Sequence, residues 1–229
     1  MIAIILSAGK SSRLITNKNN TPKTFRKINN KIIINFQINK CLDNKFKKIY
    51  INILLKNKKY ISTIEKSYLK YLKIFTEKKP LGTLGGVLKM LEHLNLKDVL
   101  IIYGDNITNC NYYKMMKKHI HSKSDFTIGY YLKKNPYYSG IIYTKKNKVI
   151  NFEEKRTKRN NKKFKVNAGI YIIKTKILKD IKKKNFFDFA KDLIPFLIKD
   201  KKKISLYKVN KIYTFDNQYL FNKNKRITI

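Results

Sequence analysis

Hydrophobic positions along the chain fall into short blocks that switch between two periods. The first is a continuous apolar run, Ile2-Ala3-Ile4-Ile5-Leu6. A run of that length without polar alternation reads as a strand buried on both faces. Residues 33–44 place Ile34, Ile38, Cys41 and Leu42 at helical spacing and predict a helix. Lys48 to Leu55 is a second strand, residues 57–72 alternate apolar and basic side chains at helical spacing, and Lys73-Ile74-Phe75-Thr76 is a short strand. Residues 83–94 predict a helix opened by Gly82-Thr83, and Asp98 to Tyr103 a buried strand ending in Gly104-Asp105. A helix carrying His119 and His121 follows. The chain then changes character, with strands at 125–133, 139–144, 148–153 and 165–174 joined by hairpin-like turns. Helices near 175–183 and 187–199, strands at 203–208 and 211–215, and a terminal helix complete it. Strand alternating with helix implies right-handed βαβ crossovers, and so an α/β fold with a central mixed, mostly parallel sheet flanked by helices. No repeat or Pro/Gly/Ser linker divides the chain, which reads as one domain over 1–229 with halves meeting near residue 122.

Composition narrows the class. At 229 residues the chain is ample for one substantial α/β domain, and 43% hydrophobic content favours a packed core over disorder. No apolar stretch reaches the ~18 residues of a membrane span. The amino terminus has neither a basic region before its apolar run nor a cleavage pattern after it, which points to a cytoplasmic protein. Cys41 and Cys110 make no disulfide framework and read as reduced thiols. His93, His119 and His121 have no Cys or carboxylate at zinc-like spacing. The formal net charge of +39 could mark a polyanionic partner. Yet the excess is nearly all Lys, and Asn, Ile, Tyr and Phe are abundant with it, as an AT-rich coding sequence would produce. A dedicated nucleic-acid binder would draw on Arg, the better reader of phosphate and base. Codon bias is the favoured explanation, so no specific nucleic-acid partner is expected.

Three stretches carry candidate chemistry. Ser7-Ala8-Gly9-Lys10-Ser11-Ser12-Arg13-Leu14, with Thr21-Pro22-Lys23 after it, puts small residues and cations at the end of the first strand. It reads either as a phosphate cradle or as an ordinary strand-to-helix turn with solvated cations. Gly104-Asp105 ends a buried strand, where a carboxylate can hold Mg²⁺ against a triphosphate or simply form a turn. Glu77-Lys78-Lys79-Pro80-Leu81-Gly82-Thr83-Leu84-Gly85-Gly86 opens a helix whose first N–H groups could meet a ligand, or be capped by Thr83.

Together these blocks resemble the sugar-1-phosphate nucleotidylyltransferases. The first is similar to their A-G-x-G-[ST]-R-[LM] signature with a downstream P-K, Ser11 standing in place of the second glycine. The resemblance implies a Rossmann-like nucleotidylyltransferase fold in which the first half binds nucleotide and the second binds sugar phosphate. Ala8, Gly9, Lys10, Ser11, Ser12, Glu77, Gly82, Thr83 and Gly104 then fall on the nucleotide, and Asp105 on a metal. The Pro80-to-Gly86 segment has the form found in guanylyl- and some adenylyl-transferases, without the Gln of thymidylyltransferases. In the second half, Glu154-Lys155 resembles the family's E-K, and Asn167-Ala168-Gly169 its N-[AT]-G. With Gly140 they imply contacts to the sugar phosphate by Gly140, Glu154, Lys155, Asn167 and Gly169. Asp188 and Asp192-Leu193-Ile194-Pro195 resemble a mainly structural helix of the family. Tyr213-Thr214-Phe215-Asp216 is similar to a W-x-D segment, placing Asp216 as the second metal carboxylate, with Gln218 replacing a Gly further on.

What the resemblance implies is a transferase that joins an NTP to a sugar 1-phosphate, releasing an NDP-sugar and pyrophosphate for surface polysaccharide synthesis. Arg13, Lys23 and Lys155 would be its catalytic cations and Mg²⁺ its cofactor. In length and in its G-T-x-G-G segment the chain looks most like heptose- or mannose-1-phosphate guanylyltransferases, so GTP is expected. Use of CTP, UTP or ATP, with a sugar or phosphocholine-type acceptor, is the alternative, as is a weakly active member that binds polyanions. A homo-oligomer is left open. Electrostatics alone should govern any nucleic-acid binding, so affinity for two unrelated sequences should be equal. It should fall at least about a hundredfold between roughly 50 and 200 mM salt, read by fluorescence anisotropy. Sequence-dependent binding that survives physiological salt would instead mark a dedicated site.

Overall fold

Strand β1 (Ile2–Leu6) is the innermost element, and its apolar run is explained by where it sits. The computed structural model describes residues 1–9, 21–91, 97–136, 139–156, 162–181, 187–215 and 222, with backbone alone at 155 and 156. β1 pairs in parallel with β4 (Lys48–Leu54) on one side and β6 (Asp98–Tyr103) on the other, and β4 pairs in parallel with the edge strand β5 (Leu72–Glu77). Ile2 and Ile4 face one core, Ala3 and Ile5 the other. The first core is closed by α2 (Gly82–Leu91), α4 (Thr175–Ile181) and α5 (Ile194–Lys199), the second by α1 (Ile33–Asp43) and α3 (Tyr112–His121). Side chains on both faces of the strand therefore leave water, which is why no polar alternation interrupts it.

The second half extends the same sheet. β11 (Lys163–Lys174) runs antiparallel to β6, to β8 (Phe126–Lys134) and, over a short ladder, to β9 (Ser139–Lys145). β9 pairs with β10 (Lys148–Arg156), and β12 (Ile204–Lys208) adds to β8 in parallel. The mixed α/β sheet expected from the sequence is thus a nine-stranded one with its parallel strands around β1. Two short pairs lie apart from it. β2 (Lys27–Ile28) joins β3 (Lys31–Ile32), and β7 (Asn106–Thr108) joins β13 (Ile212–Thr214).

Two predicted helices take other forms. Residues 57–72 form 3-10 turns, Leu55–Thr63 and Lys66–Tyr71, in place of an α-helix. Asn57 is the one buried residue in the two runs, and Tyr60, Ile61 and Tyr68 reach the second core only partly buried, so packing offers little to stabilise a longer helix. Ser62 and Thr63 hydroxyls also turn back onto the carbonyls of Lys59 and Tyr60, offering the backbone an alternative to α-helical bonding. The Asn35 side chain then takes the Thr63 carbonyl and the Glu65 N–H, ending the first run. Residues 187–199 form a π-turn, Phe189–Leu193, ahead of α5. Pro195 lacks an N–H and would break an α-helical ladder there; the wider π-turn absorbs the mismatch, with Leu193 N–H donating to Asp188 O at 3.1 Å. The expected terminal helix lies outside the described residues apart from residue 222.

His119 and His121 do not share a face: His119 is buried and His121 exposed. His119 bridges Asp98 at 3.1 Å and Thr127 at 2.7 Å, tying α3 to the amino-terminal end of β6. No helix among the described residues is long and apolar enough to cross a membrane. Lysines far outnumber carboxylates, and several settle over aromatic faces instead; Lys45 and Lys117 each lie 4.8 Å from the Tyr113 ring centre.

Cys41 and Cys110 are free and buried in the same core. Burial pushes the Cys110 thiol up to about 12 and raises that of Cys41 strongly, with Lys40 opposing weakly in both cases. The thiolate is the reactive form. Native protein at pH 8 should therefore not react with a disulfide-exchange reagent within minutes, whereas both thiols should react at once in denaturant. Rapid labelling of the folded protein would contradict the burial.

Candidate active site

The strand order reverses at β1. After β1 the chain places β4 and β5 on one side, then crosses to put β6 on the other. Loops leaving the carboxyl ends of β1 and β6 therefore diverge and leave a crevice, the position where open α/β sheets bind ligands. A cleft of about 350 Å³ lies there, lined by Ala8 and Gly9 after β1, Tyr103 and Asp105 after β6, and Gly82 and Thr83 at the start of α2.

One wall is a hydrogen-bonded brace. Asn52, near the carboxyl end of β4, accepts from the Ser7 N–H at 2.8 Å and donates through Nδ2 to Glu77 Oε1 at 2.7 Å. Glu77 Oε2 accepts from the Leu81 N–H at 3.1 Å. The ends of β1, β4 and β5 and the approach to α2 are thereby fixed to each other. Both oxygens of Glu77 have partners, so this residue shapes the approach to α2 from beneath. Asn52 is a buried polar side chain inside an apolar strand, and that mismatch was the sequence signal that could have found it.

The opposite wall brings charges together. Pro22 accepts the Phe25 N–H in a tight 3-10 turn, Thr24 is held 2.5 Å from Ser7 Oγ, and Phe25 is buried. The turn presents Lys23 to the cleft, its Nζ 3.2 Å from Asp105 Oδ2. The Gly104 N–H donates to Leu6 O at 2.9 Å, drawing the ends of β6 and β1 together beside Asp105. Here an ammonium group and a carboxylate, a hard oxygen donor, stand in contact.

The far end is closed by the π-turn. Asp188 accepts from Ala190 N–H, Lys191 N–H and the Thr83 hydroxyl, at 2.8, 3.1 and 3.0 Å. Thr83 Oγ1 in turn accepts the Phe189 N–H, and the Leu84 N–H donates to Phe187 O at 2.9 Å. Thr83 thus ties two segments together, and one of the helix's first N–H groups is occupied by protein. Tyr103 borders this cluster. Burial first, then Tyr171 and Asp188, push its phenol well up, so it remains a neutral hydroxyl. Sequence reading passed over Tyr103 and placed Asp188 in a structural helix, yet both line the cleft.

The cleft unites Ala8, Gly9, Lys23, Glu77, Gly82, Thr83 and Asp105 of the expected residues. Gly140, Glu154, Asn167 and Gly169 are not among its lining; they lie on β9, β10 and β11, where a Cβ on Gly140 would fall 2.8 Å from Glu154 Oε2. Gly169 packs under Tyr103, the residue common to both regions. Lys10, Ser11, Ser12, Arg13 and Asp216 lie outside the described residues, as does the Lys155 side chain. Thr214 pairs with Asn106, so the described backbone returns to the residue after Asp105 before it reaches Phe215. No three His, Cys, Asp or Glu residues form a metal set among the described residues.

Comparison with known proteins adds sequence and fold relationships. The family model described as nucleotidyl transferase matches residues 2–214. The bifunctional protein GlmU of Thermosipho africanus is 34% identical over 189 residues, which is 80% of this chain and 40% of that protein. The chain spans between 33% and 40% of the length of three such relatives. D-glycero-alpha-D-manno-heptose 1-phosphate guanylyltransferase of Aneurinibacillus thermoaerophilus is 28% identical over 203 residues, covering 85% of this chain and 84% of the relative. The crystal structure of HddC from Yersinia pseudotuberculosis superposes with a TM-score of 0.83 at 19% identity, over 98% of this chain and 97% of that one. That likeness bears out the expected nucleotidylyltransferase fold.

Gly82 offers a stability test. Its φ is +78°, and an added Cβ would stand 2.2 Å from the Phe187 carbonyl oxygen. Gly82→Ala should lower stability by about 2 kcal/mol or more in urea unfolding. Gly85→Ala, where a Cβ meets only the Leu81 side chain at 3.2 Å, should stay within about 1 kcal/mol of the parent.

Proposed function

Because the chain belongs to the nucleotidyl transferase family, we propose that it transfers a nucleotidyl group from an NTP to a sugar 1-phosphate, giving an NDP-sugar and pyrophosphate. The observation that carries this reading is the contact of Lys23 with Asp105 at 3.2 Å, in a cleft at the strand-order reversal and beside the start of α2. Two anionic substrates repel each other, and a site that joins them must supply positive charge in fixed positions. An oxygen of the sugar phosphate attacks the α-phosphorus, the bond to the bridging oxygen breaks, and pyrophosphate leaves with that electron pair. The attacking phosphate is already anionic, so no general base is required. Lys23 sits in the lining to neutralise charge at the attacked centre, with Arg13 on the departing pyrophosphate and Lys155 on the incoming phosphate.

Asp105 fits a magnesium ligand: it is a hard oxygen donor, 24% exposed, at the edge of a cleft with room for phosphate oxygens and water. Asp188 is a poorer candidate, since its oxygens already accept from three donors. Asp105, with Asp216 as the second carboxylate, would hold Mg²⁺, which would neutralise charge on the phosphate oxygens.

For the base, the absence of Gln from the Gly82–Gly86 segment disfavours dTTP. The relative that this chain covers most completely among those above is named a guanylyltransferase, which favours GTP. Relatives named glucose-1-phosphate adenylyltransferase support ATP as the second reading. We place the reaction in the cytoplasm, in keeping with two free buried thiols and a nucleotide substrate, and its product in surface polysaccharide synthesis.

The test is pyrophosphate release with Mg²⁺, each NTP in turn, and mannose or glucose 1-phosphate. GTP should outpace dTTP with the same acceptor; the reverse order would overturn the base assignment. Asp105→Asn should reduce turnover at least about a hundredfold, since a metal Lewis acid contributes several kcal/mol of charge stabilisation, with its thermal melt little changed. A folded variant working at the parental rate and Mg²⁺ dependence would remove Asp105 from the mechanism.

A further inference from the structure

Asn167 lies at a break in the β11 ladder: its pairing with β8 shifts register between Asn167 and Tyr171. Within that bulge Gly169 takes φ +66°, and its N–H donates to Asn167 Oδ1 at 3.0 Å. Asn167 Nδ2 donates to Tyr171 Oη at 2.6 Å. These two bonds fix the amide in one orientation, because exchanging its oxygen and nitrogen would set two donors against each other at Gly169. Tyr171 is itself held. Its ring is fully buried and stacks between Phe126, centroids 5.4 Å apart, and Phe189, 5.0 Å apart at 9°. Ring flips about its long axis leave the hydroxyl in place. Tyr103 packs edge-on at 5.7 Å, and the two phenolic oxygens are 3.4 Å apart.

We propose that Tyr171 is the positioning residue for the acceptor: it locks the Asn167 amide so that one Nδ2 hydrogen is left for a sugar hydroxyl. Tyr103, bonded to Tyr171, lines the cleft together with Thr83, so the acceptor amide and the start of α2 border one network. The assignment rests on the transferase reading above. Tyr171 touches neither substrate; it acts through Asn167.

The test pairs kinetics with a readout that does not need turnover. Tyr171→Phe keeps the aromatic stack and removes one hydroxyl. Losing a hydrogen bond that orients a binding group should raise KM for mannose or glucose 1-phosphate by about five- to twentyfold, with KM for the NTP within about twofold. Tyr103→Phe should move acceptor KM in the same direction by less. Asn167→Ala should raise acceptor KM at least as far, and adding Tyr171→Phe to it should change nothing further, since Tyr171 acts through Asn167. Amide exchange at Gly169, followed by NMR or mass spectrometry, should speed up at least about tenfold in Tyr171→Phe as its acceptor loosens. An unchanged acceptor KM overturns the proposal, as does an equal rise in both KM values, which would mark a merely structural role. If the parent turns over neither sugar phosphate, the transferase reading fails on its own terms. Exchange at Gly169 then decides alone, and an unaltered rate overturns the lock.

Discussion

A carboxyl group taken out of water must find donors, and at Glu77 that requirement organises the cleft side of the molecule. Glu77 ends an edge strand yet is only 2% exposed. Its partners come from β4, through Asn52, and from the backbone ahead of α2, at Leu81. Asn52 spends its remaining oxygen on the Ser7 N–H, where β1 gives way to its loop. Leaving any of these groups unpaired in a buried setting costs more than the bond itself contributes. The three strand ends and the helix entry are therefore fixed together by satisfaction of polar groups, over a core that only fixes their distance.

Legibility of this architecture follows from how local each signal is. The apolar runs of β1, β4 and β6 could be read because burial on both faces leaves no ambiguity of period. Gly104-Asp105 was legible because a polar pair directly after such a run must sit at the strand's end. The 3-10 turns at 55–71 were not legible, because the side chain that ends the first run is Asn35, on another helix. Asp188 and Thr83 are separated by 105 positions and meet only through the fold. Nothing in the spacing of either residue announces that contact. Tyr103 and Tyr171 looked like ordinary aromatic core residues, and Tyr171 is one by burial while Tyr103 is partly exposed to the cleft; their hydroxyls matter because of what stands beside them.

The excess of lysine is accommodated without a matching set of carboxylates. Fourteen acidic residues face fifty-three basic ones, so most ammonium groups must be solvated. Some cover tyrosine faces, as at Tyr113, where the ring quadrupole offers a partner that carries no charge. The long lysine stems also shield apolar surface while the charge stays in water. A chain of this composition can thus keep a conventional α/β core, because the compositional shift falls mainly on positions that the core does not use.

The attachment of the β9–β10 hairpin has an evolutionary consequence. β9 joins the main sheet where Ile141 and Ile142 pair with Val166 and Lys165, while the cleft lies at the ends of β1, β4, β5 and β6. Ile142 and Phe152 of the hairpin are buried in the first core, so its inner positions are held while outer ones such as Ile150 stay exposed. Substitutions at those outer positions can change this side of the molecule while the cleft keeps its frame. Divergence on the hairpin's surface around a constant cleft is the history that this construction permits.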